Sequence, residues 1–181
     1  MKFRSFPFYR QLESMDCGPS CLRMIAKHYG KVYSVRYLRE KAYITRDGVS
    51  LLGLSDAAEA IGFKTLSLQI PFERLKEVPL PCIAFWNRQH YIVVYGIDKK
   101  GNMRVADPGY GLAVFTPEEF KRGWCESGSN KGILLLLETT PVFYRTEDER
   151  QHKVGLNLKF FAEYLRPYKQ FLLQLFVGMI L

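Results

Sequence analysis

Cys17 has the residue type and the sequence context of a nucleophile. It stands in QLESMDCGPSCLRMIAKHYG, at the predicted start of a helix. Unpaired backbone N–H groups and the positive end of the helix dipole favour an anion there, so the pKa of a thiol is lowered and the thiolate becomes available. Gly18 and Pro19 fit a tight helix start, because glycine lets another backbone approach and proline suits the first turn. The alternative is a buried structural cysteine, the common state of a free thiol.

His90 is the best placed of three histidines to act as a base. It precedes the apolar run YIVVYG at the mouth of a predicted buried strand, so its imidazole can enter a cleft while the backbone stays fixed. His28 lies near the end of the first predicted helix, where a cation suits the dipole, and His152 lies in a charged stretch. The alternative for His90 is a turn or core histidine bonded to the backbone.

Two polar residues could support a thiol–imidazole pair. Asp107 closes the strand MRVAD and would lie beside His90 if that strand pairs with YIVVYGID. Its carboxylate would then fix the imidazole tautomer, although Asp-Pro-Gly is also common turn chemistry. The amide of Gln11, six residues before Cys17, could bind a developing oxyanion together with the Cys17 N–H, unless it is an ordinary surface glutamine. Asp16 is most simply a helix N-cap.

The elements that must position these residues follow an α+β pattern over residues 1–144. Hydrophobic periodicity predicts helices at about 17–29, 34–43 and 50–61, with Gly30 and Gly62 ending the first and the third. Alternating and β-rich runs predict strands at 64–70, 82–86, 91–95, 103–106 and 133–138. The segment DKKGN is a predicted hairpin turn between the third and fourth of these strands. Helices first and an antiparallel sheet afterwards indicate an α+β domain, with the N-terminal helices packed on the sheet.

Composition excludes several classes of protein. The chain has 181 residues, 48% apolar and 24% charged, which is a globular balance and not that of a disordered chain. No repeat of 20 to 50 residues points to a solenoid or a propeller. The net charge is +8, and residues 1–46 hold ten Lys/Arg against three Asp/Glu. Such a basic quarter could face nucleic acid, anionic lipid or an acidic peptide, but no nucleic-acid motif accompanies it.

The four cysteines indicate thiols and not a metal site. No apolar signal segment precedes them, so we expect a reducing compartment and free thiols. Cys17 and Cys21 are four residues apart, whereas Cys82 and Cys125 are isolated and form no second pair of matching spacing. We therefore expect neither a zinc site nor a cofactor.

The C-terminal residues differ from the rest of the chain. Residues 145–157 are polar and charged and are a predicted linker. Residues 158–181 combine a basic, aromatic stretch with the uncharged run FLLQLFVGMIL. Eleven apolar residues are too few to cross a membrane, but the pattern is typical of the cytoplasmic start of a first transmembrane helix that is cut short. A packed or surface-lying amphipathic helix is the alternative.

The order Gln, Cys, His, Asp is the layout of papain-like cysteine peptidases. A narrower resemblance rests on three segments, QLESMDCGPSCLRMIAKHYG, HYIVVYGID and VADPGYG. They resemble the peptidase domain at the N-terminus of bacteriocin-exporting ABC transporters, over nearly all of residues 1–144. The resemblance implies a papain-like fold on the cytoplasmic side of a bacterial inner membrane. It makes Cys17 the nucleophile, His90 the general base and acid, Asp107 the orienting carboxylate and Gln11 the oxyanion donor.

The same resemblance implies the substrate and the partners. The substrate would be the leader peptide of a secreted precursor, cut after a double glycine during export. The partners would be the transmembrane and nucleotide-binding domains of an ABC exporter and, through the C-terminal segment, the membrane; nucleic acid is not expected. No phosphate-binding GxxxxGK[ST] loop is present, so ATP binding is expected only in a longer parent chain.

Two other functions stay open at this point. One is a catalytically inactive docking domain of an exporter, and the other is a papain-fold amidase or acyltransferase with another substrate. A requirement for glycine would need a groove too narrow for a Cβ. Trp86, Tyr91 and Tyr110 are candidates for its walls by their proximity in sequence, although aromatic residues near strands are more often core.

Overall fold

Three helices open the described part of the chain, and an antiparallel sheet follows them. The computed structural model describes residues 6–45, 48–126 and 128–146, together with the single positions 166 and 178. The helices are α1 (Cys17–His28), α2 (Val35–Lys41), α3 (Leu51–Ala60), α4 (Pro117–Trp124) and α5 (Pro141–Arg145). The strands are β1 (Phe63–Pro71), β2 (Cys82–Trp86), β3 (His90–Ile97), β4 (Met103–Asp107), β5 (Gly111–Phe115) and β6 (Lys131–Thr139). Two 3-10 turns cover Ser14–Asp16 and Phe72–Glu77.

Local chemistry sets the helix boundaries. Ser34 Oγ accepts a hydrogen bond from Tyr37 N–H at 3.1 Å, and Ser50 Oγ accepts one from Gly53 N–H at 3.0 Å. These serines are N-caps, so α2 and α3 begin directly after them. After α1, Gly30 adopts a φ of +95°, a left-handed conformation that glycine tolerates well and that ends a helix.

The sheet has six strands in the order β1-β6-β2-β3-β4-β5, and every neighbouring pair is antiparallel. Strands β2 to β5 follow one another as hairpins. Trp86 pairs with His90 across the first of these hairpins, and Ile97 pairs with Met103 across the second. Strand β6 returns between β1 and β2. The hairpins bring the start of β3 and the end of β4 to the same edge of the sheet.

The two faces of the sheet are covered by different layers. Residues alternate along β3, so Tyr91 and Val93 join the core cluster that contains α1, whereas Ile92 and Val94 join the cluster that contains α4. The first cluster packs α1, α2 and α3 on one face. The second packs α4 and the turn Phe72–Glu77 on the opposite face. The central strand β3 is therefore buried from both sides, which gives His90 a fixed backbone.

The α+β class predicted from the sequence is confirmed. All three predicted helices and all five predicted strands are present, and DKKGN joins β3 to β4 as expected. Strand β5 and helices α4 and α5 were not predicted.

The predictions for the C-terminal residues fall almost entirely outside the described residues. This holds for the linker at 145–157 and for the amphipathic segment with its truncated transmembrane helix at 158–181. The boundary of the peptidase domain at residue 144 also stays a prediction. Within the described part of the chain, no helix has the length and apolar character that a membrane span requires.

Candidate active site

Cys17 is the first residue of α1 and is 6% exposed. The helix start thus places its thiol where the N-terminal amides and the dipole act on it. Cys21 lies one turn further along and is fully buried. Its Sγ donates a hydrogen bond to Tyr91 O at 3.2 Å, and burial, followed by the charges of Cys17 and Asp107, raises the pKa of Cys21. Of these two thiols, Cys21 is therefore a protonated core residue.

Gly18 is required by a close contact, though with a different partner from the one expected. A Cβ at this position would lie 2.4 Å from Cγ1 of Val49 and 3.4 Å from Cδ1 of Leu54. The neighbour that comes close is therefore a side chain, and the expectation of an approaching backbone is wrong. Any larger residue at position 18 would push Val49 away from the start of α1.

Asp16 occupies the N-cap position of α1, but its side chain makes no capping hydrogen bond. Pro19 is the third residue of α1 and has no N–H, which removes one of the two amides that an N-cap side chain usually binds. The carboxylate instead accepts hydrogen bonds from Arg39 Nε and Nη2, each at 2.5 Å, and from Glu13 N–H at 3.1 Å. The prediction for Asp16 is correct in position and wrong in the role of the side chain.

His90 and Asp107 meet at the edge of the sheet, as the predicted strand pairing requires. His90 Nε2 and Asp107 Oδ1 are 2.8 Å apart. The same Oδ1 accepts a hydrogen bond from Gly109 N–H at 2.8 Å, and Asp107 is 6% exposed. The carboxylate is thus held from both sides and oriented toward the imidazole.

The environment of His90 favours its charged form. Burial alone lowers the pKa of His90, but interactions with the Asp107 carboxylate and with the Cys17 side chain outweigh it and raise the pKa to about 9. Since Nε2 is engaged with Asp107, Nδ1 is the ring nitrogen left for Cys17. An imidazolium between a thiol and a carboxylate is the arrangement in which a thiolate is stabilised.

Gln11 reaches the same place from the segment before α1. Its backbone N–H donates to Pro108 O at 2.9 Å, which ties this segment to the turn that follows Asp107. Its side-chain Oε1 is buried and has no hydrogen-bond partner among the described residues. Gln11, His90 and Gly109 line one cavity. The structure therefore brings the four site residues predicted from the sequence to one location.

Two cavities flank these residues. One, of about 420 Å³, includes Cys17 in its lining, and the other, of about 700 Å³, includes His90 and Gln11. Three residues line both cavities: Ser14, Met15 and Gln89. An extended chain that passes across the Cys17–His90 pair would therefore find space on either side of it.

The three aromatic candidates for the groove divide between these cavities. Tyr91 lies in the cavity of Cys17, is nearly buried, and donates a hydrogen bond from its hydroxyl to Val49 O at 3.3 Å. Burial, followed by the Cys17 and Cys21 charges, raises the pKa of Tyr91 to about 12. Trp86 and the exposed Tyr110 line the cavity of His90.

Sequence reasoning missed two contributors near Cys17. Val49 lies in the segment before α3 and forms part of the wall beside Cys17, but a single valine in a loop belongs to no recognisable pattern. Arg39 contacts Asp16 across 23 positions of sequence. Within the described ranges, no group of three or more His, Cys, Asp or Glu side chains is placed to hold a metal ion.

Comparison with known proteins places this chemistry in a family. The model of the peptidase C39 family matches residues 5–139. This chain belongs to the peptidase C39 family. Family membership supports a cysteine peptidase, and the arrangement of a thiol, an imidazole and a carboxylate is suited to that chemistry.

Individual relatives and a solved structure agree with the family. The chain is 33% identical over 119 residues to the colicin V secretion/processing ATP-binding protein CvaB of Escherichia coli, which covers 66% of this chain and 17% of that protein. It is 32% identical over 163 residues to the transport/processing ATP-binding protein ComA of Streptococcus pneumoniae, covering 86% of this chain and 22% of that protein. The chain thus spans about a fifth of the length of these relatives.

The fold is similar to that of a solved C39-type domain. The crystal structure of a double glycine motif protease from an AMS/PCAT transporter, in complex with the leader peptide, matches with a TM-score of 0.68 and 29% identity. The match covers 75% of this chain and 93% of that one.

Proposed function

We propose that this chain is a cysteine-type endopeptidase domain that cuts a leader peptide after a double glycine, within an ABC exporter of bacteriocin-like peptides. The observation that carries the proposal is the convergence of Cys17, His90 and Asp107 between two cavities. The solved relative bound to a leader peptide supports the substrate class. The names of the curated relatives, which join secretion to processing, support the link to export.

The first step is acylation of the thiol. The Cys17 thiolate attacks the carbonyl carbon of the second glycine, and the C–N bond to the next residue breaks. The His90 imidazolium gives its proton to the leaving amine, so the product carries a neutral amine and the enzyme a thioester. Neutral His90 then takes a proton from water, whose hydroxide attacks the thioester. The Cys17 thiolate is expelled, the leader leaves as a carboxylic acid that loses its proton to solvent, and Cys17 and His90 return to the ion pair.

Charge on the carbonyl oxygen needs donors that point toward it. The Cys17 N–H at the start of α1 and the Gln11 amide are the proposed donors. Because the turn after Asp107 holds the Gln11 backbone, the amide is placed before the substrate arrives. Fixed donors of this kind cost no reorganisation as charge develops in the transition state.

The chemistry also assigns a direction to the substrate. The leaving amine must lie beside the group that protonates it, so the residues after the cut occupy the cavity lined by His90 and Trp86. The leader then lies in the cavity lined by Cys17, Val49 and Tyr91. The hydrogen bond between the Tyr91 hydroxyl and Val49 O holds two walls of that cavity together, and we propose these walls as the selectors of glycine.

A matched pair of precursors tests the function. The 181-residue chain is incubated with a precursor whose leader ends in Gly-Gly, and with the same precursor carrying alanine at the second glycine. We expect a single cut after the second glycine of the first precursor and none in the alanine form, read by mass spectrometry. An intact precursor that stays bound would indicate a docking domain, and equal cutting of both would indicate a papain-fold enzyme of other specificity.

The exporter partners and the cytoplasmic, membrane-bound location belong to the same proposal. The transmembrane and nucleotide-binding domains would adjoin this domain in a longer parent chain, as the share of the relatives that it spans suggests. The genomic reading frame past Leu181 tests this. We expect further apolar spans and a GxxxxGK[ST] phosphate loop there, and a stop codon without a neighbouring exporter gene would contradict it.

A further inference from the structure

A buried carboxylate lies directly before the nucleophile. The Asp16 side chain has no exposed surface, and both of its oxygens accept hydrogen bonds from Arg39, a residue of α2. The Arg39 side chain is 30% exposed, and its Nη2 also lies 3.2 Å from Glu13 Oε1. Such a two-point contact fixes both the distance and the orientation of the carboxylate, which a single contact would not do.

The direction in which Asp16 points matters for the first turn of α1. An N-cap carboxylate ordinarily accepts a hydrogen bond from the amide of the second or third helical residue, and because residue 19 is proline the Gly18 N–H is the one such amide here. It lies directly after the Cys17 N–H that is the proposed oxyanion donor. Here the Asp16 side chain makes no such bond and turns to Arg39. Arg39 therefore keeps the anionic Asp16 side chain away from the Gly18 N–H and from the start of α1, where a second negative charge would oppose a developing oxyanion.

The charge of Asp16 matters as much as its direction. A carboxylate beside a thiol disfavours the thiolate, because two like charges then share a poorly solvated place. The guanidinium of Arg39 cancels that charge at hydrogen-bond distance. The ion pair also holds the turn Ser14–Asp16, of which Ser14 and Met15 line both cavities.

We infer that Arg39 is a positioning residue for the nucleophile, which acts through Asp16 by turning its carboxylate away from the start of α1 and neutralising its charge beside Cys17. The inference rests on the proposed function of Cys17. Under this inference Arg39, a residue of α2, contributes to catalysis without touching the substrate.

The reactivity of Cys17 toward iodoacetamide tests this inference without any peptide substrate. The rate of alkylation is followed against pH in the 181-residue chain, by mass spectrometry of the peptide that contains Cys17, which separates it from Cys125. Arg39→Ala is expected to raise the midpoint pH of alkylation by about one unit, since Asp16 is then unneutralised. The double variant Asp16→Asn/Arg39→Ala is expected to return the midpoint to that of wild type.

Other charged and titratable groups also face Cys17, and they stay constant through this series. They are Cys21 on α1, His90 and Tyr91 on β3 and Arg88 in the turn between β2 and β3, and Asp107 on β4 acts on His90 and Cys21. Arg36→Ala is the matched control. Arg36 lies on the same helix and pairs with Glu40 at 3.3 Å, with its side chain 87% exposed, so its loss should leave the midpoint unchanged.

The outcomes separate positioning from simple packing. An unchanged midpoint in Arg39→Ala, or a double variant that keeps the raised midpoint, would overturn the inference. If Arg39→Ala does not fold, Asp16→Asn alone decides: a midpoint at or below that of wild type supports the inference, and a higher one overturns it. Alkylation needs no precursor, so the midpoint pH of Cys17 alkylation still tests the role of Arg39 if the chain does not cut a leader. Failure of the proposed function and failure of this inference can therefore be told apart.

Discussion

The two faces of the sheet differ in what they bury. On the face covered by α1, α2 and α3, the described residues include two buried polar side chains, Asp16 and Ser20, and a third, Asp107, is buried at the end of β4 beside His90. The cluster on the opposite face is made of apolar side chains, with Phe120 and Trp124 of α4 at its centre. The buried polar groups therefore lie next to α1 and at the end of β4, and the apolar cluster on the opposite face stabilises the strands that hold His90 and Asp107 in place.

In this domain the residues proposed to do chemistry lie apart from the residues that stabilise the fold. His90 and Asp107 lie at the ends of strands whose middles are packed from both sides, so the backbone under the site cannot shift easily. The charged groups near Cys17 are each held by a named partner, as Asp107 is by Gly109 N–H and Asp16 is by Arg39. Changes on the two faces should consequently act on different quantities, the rate on one and the free energy of unfolding on the other.

Loss of the imidazole should give the largest effect on rate. His90→Ala removes the group that protonates the leaving amine, and we expect cleavage of a double-glycine precursor to fall by roughly 10²- to 10⁴-fold. His28→Ala is the matched control, because His28 lies at the far end of α1. Comparable losses in both variants would mean that the site has been assigned to the wrong histidine.

Loss of the oxyanion donor should come next. Gln11→Ala is expected to lower kcat by roughly 10²- to 10³-fold with little change in KM, since the donor acts on charge that exists only in the transition state. Gln69→Ala, on the exposed side of β1, should leave both constants unchanged. A rise in KM at constant kcat would instead make Gln11 a residue of substrate binding.

A smaller effect, with a signature in pH, is expected for Asp107→Asn. Loss of a charge-assisted hydrogen bond should lower the rate by roughly 10- to 100-fold with little change in substrate affinity. In the wild type the rate should decline as pH rises through about 9, where His90 loses its proton, and the variant should show this decline at lower pH because Asp107 raises the pKa of His90. If the rate of the variant declines at the same alkaline pH as that of the wild type, Asp107 only stabilises the turn and does not act on His90.

The same pKa of His90 affects stability. Its folded value lies above its unfolded value near 6.5, so protonated His90 stabilises the fold below pH 6.5, and this contribution is lost as pH rises through about 9. Asp107→Asn should flatten that part of the pH dependence of unfolding.

The smallest effect on rate is expected on the opposite face. Leu75→Ala should lower the free energy of unfolding by about 2–5 kcal/mol, because Leu75 is buried in the cluster of α4, and should leave kcat/KM of the folded protein unchanged. Leu54→Ala is the counterpart on the face of the site. It should cost a similar free energy but also lower kcat/KM, since Leu54 packs against Gly18 beside the nucleophile. Equal effects of the two variants on kcat/KM would remove the distinction between the faces.

The fold was predictable from the sequence wherever a periodic pattern was long. Helix α1 and the strands β2, β3 and β4 show apolar runs that end in clear turn residues, and their boundaries agree closely with the prediction. Strand β5 was missed because it is only five residues long and its exposed residues, Leu112 and Val114, are apolar, so the sequence GLAVF shows no alternation of apolar and polar residues. Helix α4 has only eight residues, although Thr116 and Glu119 form a capping box that could have revealed its start.

The candidate site was predictable where residue type and position in an element were enough to indicate a role. A cysteine at a helix start and a histidine at a strand start are visible in the sequence, and strand pairing then brings Asp107 to His90. The contact of Arg39 with Asp16 depends on how α2 packs against α1, and no local pattern encodes it. The insertion of β6 between β1 and β2 is likewise a property of the whole sheet.

The assignment of Cys17 as the nucleophile is tested most directly by replacing each of two neighbouring cysteines with alanine. Cys17→Ala and Cys21→Ala are compared for cutting of a double-glycine precursor and for binding of its leader. The account predicts that Cys17→Ala binds the leader without cutting, and that Cys21→Ala, which alters a buried thiol one turn away, keeps substantial activity. Continued cutting by Cys17→Ala, or a folded but inactive Cys21→Ala protein, would contradict it.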